Sequence, residues 1–142
     1  MNNLKEKKLD NKGFSLVELI IVIAIMAVLI GVLAPQYLKY VERSRQSADL
    51  DSINTMIHAI EIYNADPNTV TPGTGDIEAS SGTVSAPSSI KNALKDSGMN
   101  TLPEMKSKEY ATWKIKFEIT GWTITTDTAG TDGKKLSTAL GR

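Results

Sequence analysis

The chain has 142 residues with 16 basic and 16 acidic side chains, so its net charge is near zero and gives no support for a nucleic-acid partner. It contains one histidine and no cysteine, which excludes disulfides and cysteine-based metal sites. No set of nucleophile, base and orienting group stands out, so we expect no enzyme, no cofactor and no metal site.

The N-terminal segment, residues 1–13, is short and polar, MNNLKEKKLDNKG, with four lysines against two acids. Basic residues that flank a membrane span stay on the cytoplasmic side. We therefore expect the N-terminus to face the cytoplasm and the domain beyond the span to lie outside.

The next segment, residues 14–35, is a nearly unbroken apolar run, FSLVELIIVIAIMAVLIGVLAP. As a helix it reaches about 31 Å before the proline, close to the roughly 30 Å hydrocarbon thickness of a bilayer. A soluble helix is apolar along one stripe, whereas this run is apolar on every face. The sequence therefore predicts a helix that is surrounded by lipid or by copies of itself.

One carboxylate, Glu18, lies four residues after Phe14 in this run. A charge at membrane depth costs roughly 2.5–3.5 kcal/mol on insertion scales, which indicates a function. A plain single-pass anchor gives no reason for such a charge. A cleaved secretory signal also fits poorly, because Pro35 directly follows the best small-residue cleavage site, which ends at Ala34.

Residues 12–19, KGFSLVEL, resemble the processing site of type IV pilins, a class III signal peptide that a dedicated peptidase cuts between glycine and phenylalanine. The resemblance covers about residues 8–65. It implies that residues 1–13 are a leader, that cleavage falls between Gly13 and Phe14, and that the Phe14 amine is then methylated. It also implies four kinds of partner: other pilin subunits, a prepilin peptidase and methyltransferase, a pilus assembly platform, and the membrane.

The amine exposed on Phe14 would be mostly protonated at neutral pH, since the reference pKa of an α-amino group is about 7.7–8.0. Glu18 lies one helical turn away in the same chain, and between chains it can meet the Phe14 amine of a neighbouring copy. A buried ion pair is better evidence for register than for stability. We therefore interpret Glu18 as a determinant of filament assembly.

Pro35 lies inside a pattern that otherwise continues as a helix, and Gly31 is one turn earlier. Proline removes a backbone hydrogen bond and kinks a helix, while glycine weakens it. Together they predict a bend or a locally melted segment from about Ala27 to Pro35, and the resemblance implies that this segment stretches in the filament. The alternative, for an unassembled subunit, is a kinked but intact helix.

Residues 36–65 predict an amphipathic helix that continues the span and stops before Pro67. Apolar residues recur there at spacings of three and four, which places them on one stripe. The predicted stripe consists of Leu38, Val41, Ala48, Ile53, Met56, Ile57, Ile60 and Tyr63. His58 falls on the polar side and is interpreted as a surface residue.

Residues 68–89 are rich in Ser, Thr, Gly and Pro and show no periodicity, so they predict a long, variable surface loop. Residues 90–97 predict a short helix that is ended by Gly98.

Residues 110–140 predict a small antiparallel sheet. Clean alternation from Tyr110 to Ile119 indicates a strand, Thr120–Gly121 a tight turn, and the residues from Trp122 onward a return strand. A third strand near Lys134–Ala139 is expected to close the sheet.

These elements predict an α+β, pilin-like fold in which a long N-terminal helix packs on a small antiparallel sheet. Residues 14–35 would form the transmembrane and filament-core part, and residues 36–142 the globular head, with Trp113 and Trp122 packed against the helix. The resemblance implies a structural subunit of a type IV pilus that serves surface adhesion or motility. It would reside in the cell membrane as a single-pass prepilin and on the cell surface as a pilus afterwards.

Two alternatives stay open: a pseudopilin of a type II secretion or competence DNA-uptake system, and a monomeric, membrane-anchored binding domain. Many pilins of Gram-negative bacteria have a C-terminal disulfide, which this chain lacks. Major pseudopilins carry a calcium-binding loop near the C-terminus that residues 129–135, AGTDGKK, do not resemble. Both differences favour a pilin from a Gram-positive organism.

Overall fold

A computed structural model of the chain describes residues 13–127 and 135–141. Residues 1–12, which are the predicted leader apart from Gly13, lie outside the described residues. Residues 128–134, which include the start of the predicted third strand, lie outside them as well. The chain divides into two compact units, the first ending at Leu38 and the second beginning at Lys39.

The described elements are three helices and four strands. In chain order they are α1 (Leu16–Ala65), β1 (Gly75–Ser80), β2 (Thr83–Ser85), α2 (Ser88–Asp96), β3 (Trp113–Glu118), β4 (Gly121–Asp127) and α3 (Leu136–Ala139). Helix α1 has 50 residues and contributes to both units. The predicted long helix is thereby confirmed as one element.

The four strands form one antiparallel sheet in the order β2-β1-β3-β4. Ile77 of β1 is paired with Ile115 of β3, and Phe117 of β3 with Trp122 of β4. The rings of Phe117 and Trp122 lie 6.5 Å apart between centroids. A β-bulge after Lys114 shifts the register between β3 and β4.

The second unit has one hydrophobic core, which lies between α1, α2 and one face of the sheet. Its fully buried side chains include Ile53, Met56 and Ile60 from α1, Ile90 and Leu94 from α2, and Ile77, Trp113 and Ile115 from the sheet. Each large apolar side chain buried in this way contributes about 1.5–3 kcal/mol relative to an exposed one. The α+β class, with a long helix on a small antiparallel sheet, is confirmed.

The prediction of an unbroken loop over residues 68–89 was wrong, because β1 and β2 form a hairpin there. Its two-residue turn has positive φ at both positions, 50° at Ser81 and 87° at Gly82. That geometry matches the twist of paired strands and favours glycine. Both strands are short and consist mostly of small polar residues. Ile77 and Ala79 in β1 and Val84 in β2 are too few to give a periodic pattern that predicts strands.

The segment before β1 is held by side chains of α1 and α2. Asn64 of α1 bonds Gly73 twice, accepting its N–H at 2.7 Å and donating to its carbonyl at 3.2 Å. A Cβ at Gly73 would lie 3.0 Å from the Cβ of Ala93, so glycine permits this close approach. Ser89 donates its hydroxyl to the carbonyl of Thr74.

The prediction of a third strand near Lys134–Ala139 was also wrong for the residues that the structure describes. Leu136–Ala139 is a short helix. Asp127, the last residue of β4, accepts the backbone N–H of Leu136 at 2.7 Å and that of Ser137 at 3.0 Å, and it accepts the Ser137 hydroxyl as well. These are the donors that a helix leaves unpaired at its start. Because Asp127 accepts these N–H groups, the segment forms a helical turn rather than a further strand.

The tight turn between β3 and β4 lies at Ile119–Thr120, one residue earlier than predicted. The Phe117–Trp122 pair fixes this register, and Ile119 is therefore in the turn and 70% exposed rather than in the core. The short helix α2 is close to its predicted bounds, and Gly98, with φ of 88°, ends it as expected.

Candidate functional site

The predicted cleavage site lies at the start of the described chain. Gly13 and Phe14 are exposed and precede α1, with Phe14 89% exposed. A side chain added at Gly13 would meet no atom within 4 Å. The bond between the two residues is therefore open to a peptidase, as cleavage there requires.

Ser15 and Glu18 form a reciprocal capping box at the N-terminus of α1. The Glu18 carboxylate accepts the Ser15 backbone N–H at 3.1 Å, and the Ser15 hydroxyl accepts the Glu18 N–H at 3.2 Å. Both bonds satisfy donors that the first turn leaves unpaired. Glu18 thus has a local role beyond the assembly role inferred from the sequence, although the pattern Ser-x-x-Glu before an apolar run is the usual sequence signal of a capping box.

The apolar part of α1 is exposed on all sides within the first unit. Every residue from Gly13 to Leu38 is exposed, and the least exposed large apolar side chain, Val22, is 46% exposed. Among the helices that the structure describes, α1 is the one that is long and apolar enough to cross a membrane. Since so much apolar surface is unfavourable in water, this segment requires lipid or other protein around it.

Gly31 and Pro35 lie inside α1, which continues through both residues. The bend or melted segment predicted from Ala27 to Pro35 is not a break in the helix of the single chain. This agrees with the intact helix expected for an unassembled subunit. Proline has no N–H to donate to the carbonyl of Gly31, so this turn is held less firmly than its neighbours.

Two carboxylates of α1, Asp49 and Glu42, fasten a distant loop in the second unit. The buried Asp49 carboxylate accepts the backbone N–H of Lys106 at 3.0 Å and that of Ser107 at 2.7 Å. Glu42, two turns earlier, accepts the N–H of Lys108 at 2.7 Å. Gln46 lies between them on the same face and is buried.

This polar cluster corrects the predicted apolar stripe. Ala48, which was placed on the stripe, is exposed, whereas Asp49 is buried instead. The stripe is apolar only from Ile53 onward. Sequence periodicity does not reveal a carboxylate that is buried in order to accept backbone N–H groups from residues more than fifty positions away.

The outward face of the sheet carries ion pairs, two between β3 and β1 and one along β3 itself. Lys114 lies 3.1 Å from a carboxylate oxygen of Glu78 and 3.7 Å from one of Asp76, and both carboxylates raise its pKa. Lys116 lies 2.8 Å from Glu118, which raises the pKa of Lys116 and lowers that of Glu118. These groups are solvated, so the pairs contribute little stability and chiefly keep this face soluble.

A shallow groove of about 300 Å³ lies in the second unit beside the turn between β3 and β4, lined by Glu61, Glu118 and Trp122 among others. Trp122 is half-buried and donates its indole N–H to Glu61 at 2.9 Å. Trp113 is fully buried in the core to which α1 contributes, as predicted, whereas Trp122 is only partly buried against that core. His58 is exposed and lies 3.3 Å from Glu61. Nothing in this groove resembles a catalytic arrangement.

The N-terminal segment of the chain matches a known family model. The family model described as the prokaryotic N-terminal methylation motif matches residues 8–34. That range contains the predicted cleavage site, the capping box and most of the apolar run. No solved structure matches the chain significantly.

Two curated relatives extend the match. The type IV major fimbrial protein FimA of Dichelobacter nodosus is 44% identical over 50 residues, which are 35% of this chain and 32% of FimA. The chain therefore matches only about a third of FimA's length. The type IV wide pilus major component PilA4 of Thermus thermophilus is 32% identical over 90 residues, which are 63% of this chain and 68% of PilA4.

The PilA4 match covers 90 residues and therefore extends past residues 8–34 into the head, and the structure has the predicted long helix and small antiparallel sheet. On these grounds the chain belongs to the type IV pilin family.

Proposed function

We propose that the chain is a structural subunit of a type IV pilus, made as a membrane-embedded prepilin and assembled into a surface filament for adhesion or motility. The observation that carries this proposal is the methylation motif at residues 8–34 joined to an apolar helix that no other described residue covers. The names of FimA, a major fimbrial protein, and PilA4, a major pilus component, support the role of a major subunit.

Processing begins at the exposed bond between Gly13 and Phe14. Hydrolysis by a prepilin peptidase leaves a carboxylate on Gly13 and an amine on Phe14. A methyltransferase then moves a methyl group from its methyl donor to the nitrogen of that amine, which loses a proton. The cut removes the lysine-rich leader, which would otherwise hold the end of the helix in the cytoplasmic water. Before assembly the helix spans the membrane once, with its N-terminus in the cytoplasm and its head outside.

Assembly at a pilus platform moves the apolar helix from lipid into a bundle of identical helices. Neighbouring helices are as apolar as acyl chains, so the transfer costs little. In the bundle the Glu18 carboxylate meets the Phe14 amine of an adjoining copy. Glu18 already accepts the backbone N–H of Ser15, so its oxygens are directed toward the N-terminal end of the helix where that amine arrives.

The charge of Glu18 can be separated from its capping role by substitution. Glu18→Gln keeps an oxygen that can accept the Ser15 N–H but removes the charge, whereas Ser15→Ala removes the hydroxyl and keeps the charge. We expect Glu18→Gln and Glu18→Ala to be cleaved normally but to form no fibres, and Ser15→Ala to form them. Shearing cells and quantifying fibres by immunoblot measures this. Normal fibres from Glu18→Gln would contradict the ion-pair role.

The identity of the assembled object is tested by mass spectrometry. We expect the mature chain to begin with a methylated Phe14 and to be the most abundant protein in purified surface fibres. A short periplasmic or envelope-bound assembly without abundant fibres would favour a pseudopilin. A chain that retains residues 1–13 and remains monomeric in the membrane would contradict the proposal.

A further inference from the structure

Most charged side chains of α1 beyond Leu38 have a partner within the chain. Glu42 accepts the Lys108 N–H and lies 3.9 Å from Arg45, Asp49 accepts two backbone N–H groups, and Glu61 contacts His58 and Trp122. Within residues 13–127 and 135–141, the side chains of three others have neither an ion pair nor a hydrogen bond. These are Lys39, Arg43 and Asp51.

Arg43 and Asp51 lie on the exposed side of α1, away from the buried Asp49 and Ile53. They are eight residues apart, which is about 12 Å along the helix axis and too far for a pair within one chain. Ser47, an exposed small residue, lies midway between them. A second helix can therefore approach this side closely.

We propose that Arg43 of one copy pairs with Asp51 of the adjoining copy in the filament, with the two copies displaced by about two helical turns along the axis. The inference rests on the proposed function. The occupant is a second copy of this chain because a cation and an anion on one exposed side are complementary to the same pair in a displaced copy. Such a contact is heterologous and does not close, so it continues into an open fibre.

Membrane insertion makes adjoining copies parallel, since every leader stays on the cytoplasmic side. The Phe14–Glu18 pair requires the same sense of displacement, because in both pairs the cation precedes the anion along the chain. Taken separately, the two pairs indicate displacements of about 6 Å and about 12 Å. The long stems of Arg43 and Glu18 extend over much of this difference. The two pairs are therefore compatible with one direction of stacking.

Charge reversal tests the pairing in cells that carry the full chain and its assembly machinery. We expect Arg43→Asp and Asp51→Arg each to lower the yield of sheared fibres by roughly tenfold or more, because like charges then face each other. The double reversal should restore most of the yield. Lys91→Asp and Asp96→Arg make the same charge changes on exposed positions of α2 and should assemble normally. Normal yields from the single reversals, or no restoration in the double, would overturn the inference.

Crosslinking tests the geometry without removing the two charges. Ser47 and Thr55 are exposed and also eight residues apart, and the chain has no cysteine of its own. In fibres of the Ser47→Cys, Thr55→Cys double variant, a short bismaleimide should produce a ladder of multimers, and neither single variant should do so. Dimers from Ser47→Cys alone would indicate antiparallel helices and overturn the inference, as would the absence of any crosslink.

The outcomes also separate this inference from the proposed function. Fibres from the unaltered chain that tolerate both single reversals would leave the proposed function in place and overturn the Arg43–Asp51 pair alone. If the unaltered chain forms no fibres in a competent host, the proposed function fails and this inference fails with it.

Discussion

At the scale of single residues, Asp49 shows how a polar side chain can specify the head. Its carboxylate is buried and accepts backbone N–H groups from Lys106 and Ser107, which no secondary structure satisfies. Hydrogen bonds to a charged group are stronger than neutral ones, and a buried donor left without an acceptor is costly. Asp49 therefore fixes where the loop before β3 meets α1.

Replacing Asp49 tests this role. In Asp49→Asn one oxygen becomes an amide donor that faces the N–H groups of the loop, so we expect a loss of about 2–3 kcal/mol of unfolding free energy. Urea unfolding of the full chain in detergent, followed by tryptophan fluorescence, measures it. The same change at the exposed Asp51 should alter the unfolding free energy by less than about 0.5 kcal/mol. Equal effects at the two positions would contradict the structural role of Asp49.

A second residue, Asp127, links stability to pH. Burial raises the pKa of its carboxyl, but hydrogen bonds from the Ser137 hydroxyl and from the N–H groups of Ser137 and Leu136 outweigh this, so the pKa is lowered overall. A group whose pKa is lower in the folded state stabilises that state above its unfolded pKa, about 3.9 for aspartate. This contribution is lost as the pH falls through the folded pKa.

We therefore expect Asp127→Asn to be less stable than the unaltered chain at neutral pH, and the difference to shrink as the pH falls from about 5 to about 2. Urea midpoints at several pH values measure the difference. Asp96→Asn, a change at the exposed end of α2, serves as the control and should follow the unaltered chain. A difference that is constant across this range would contradict the capping role of Asp127.

At the scale of elements, the β1–β2 hairpin depends on its turn. Gly82 has a φ of 87°, and a Cβ placed there would lie 2.8 Å from the carbonyl oxygen of Met105. Gly82 also donates its N–H to Ala111 and accepts the N–H of Met105. The turn therefore joins the hairpin to the segment that precedes β3.

Gly82→Ala should cost about 1–3 kcal/mol from backbone strain, and more because Met105 must move. Gly98→Ala is the matched control, since Gly98 has nearly the same φ, 88°, and no atom within 4 Å of an added Cβ. The difference between the two variants in urea unfolding measures the contact with Met105 alone. Equal losses would show that the segment shifts without cost.

The elements differ in how far the sequence predicts them. Period and length are sufficient for α1, whose apolar run and amphipathic stripe continue over 50 residues. Alternation is sufficient for the centre of β3, although the strand begins at Trp113 rather than at Tyr110. The β1–β2 hairpin and α3 escape such reading, since their strands and turns are short and are decided by contacts with residues far along the chain, such as Asp127 with Ser137. The candidate site follows the same rule. The motif around Gly13 and Glu18 is local and readable, whereas the burial of Asp49 is not.

At the scale of the whole molecule, the two units have opposite requirements. The second unit buries its own core and holds its loops with internal hydrogen bonds. The described part of the first unit, residues 13–38, is mostly an apolar helix, and all of these residues are exposed. Such a helix needs lipid or other protein around it, and the proposed function requires it to suit the membrane first and the filament afterwards.

That double requirement gives a purpose to Gly31 and Pro35. A helix that is intact in lipid but has one weak turn can change its length when neighbours replace the acyl chains. We expect residues near Gly31 to Pro35 to have helical backbone chemical shifts in detergent micelles and non-helical ones in fibres, as measured by solution and solid-state NMR. Pro35→Ala restores the missing N–H donor, so its segment should stay helical in both states, while residues near Val22 stay helical in every sample. Helical shifts throughout in fibres of the unaltered chain would contradict this account, because Gly31 and Pro35 would then weaken a turn that assembly never opens.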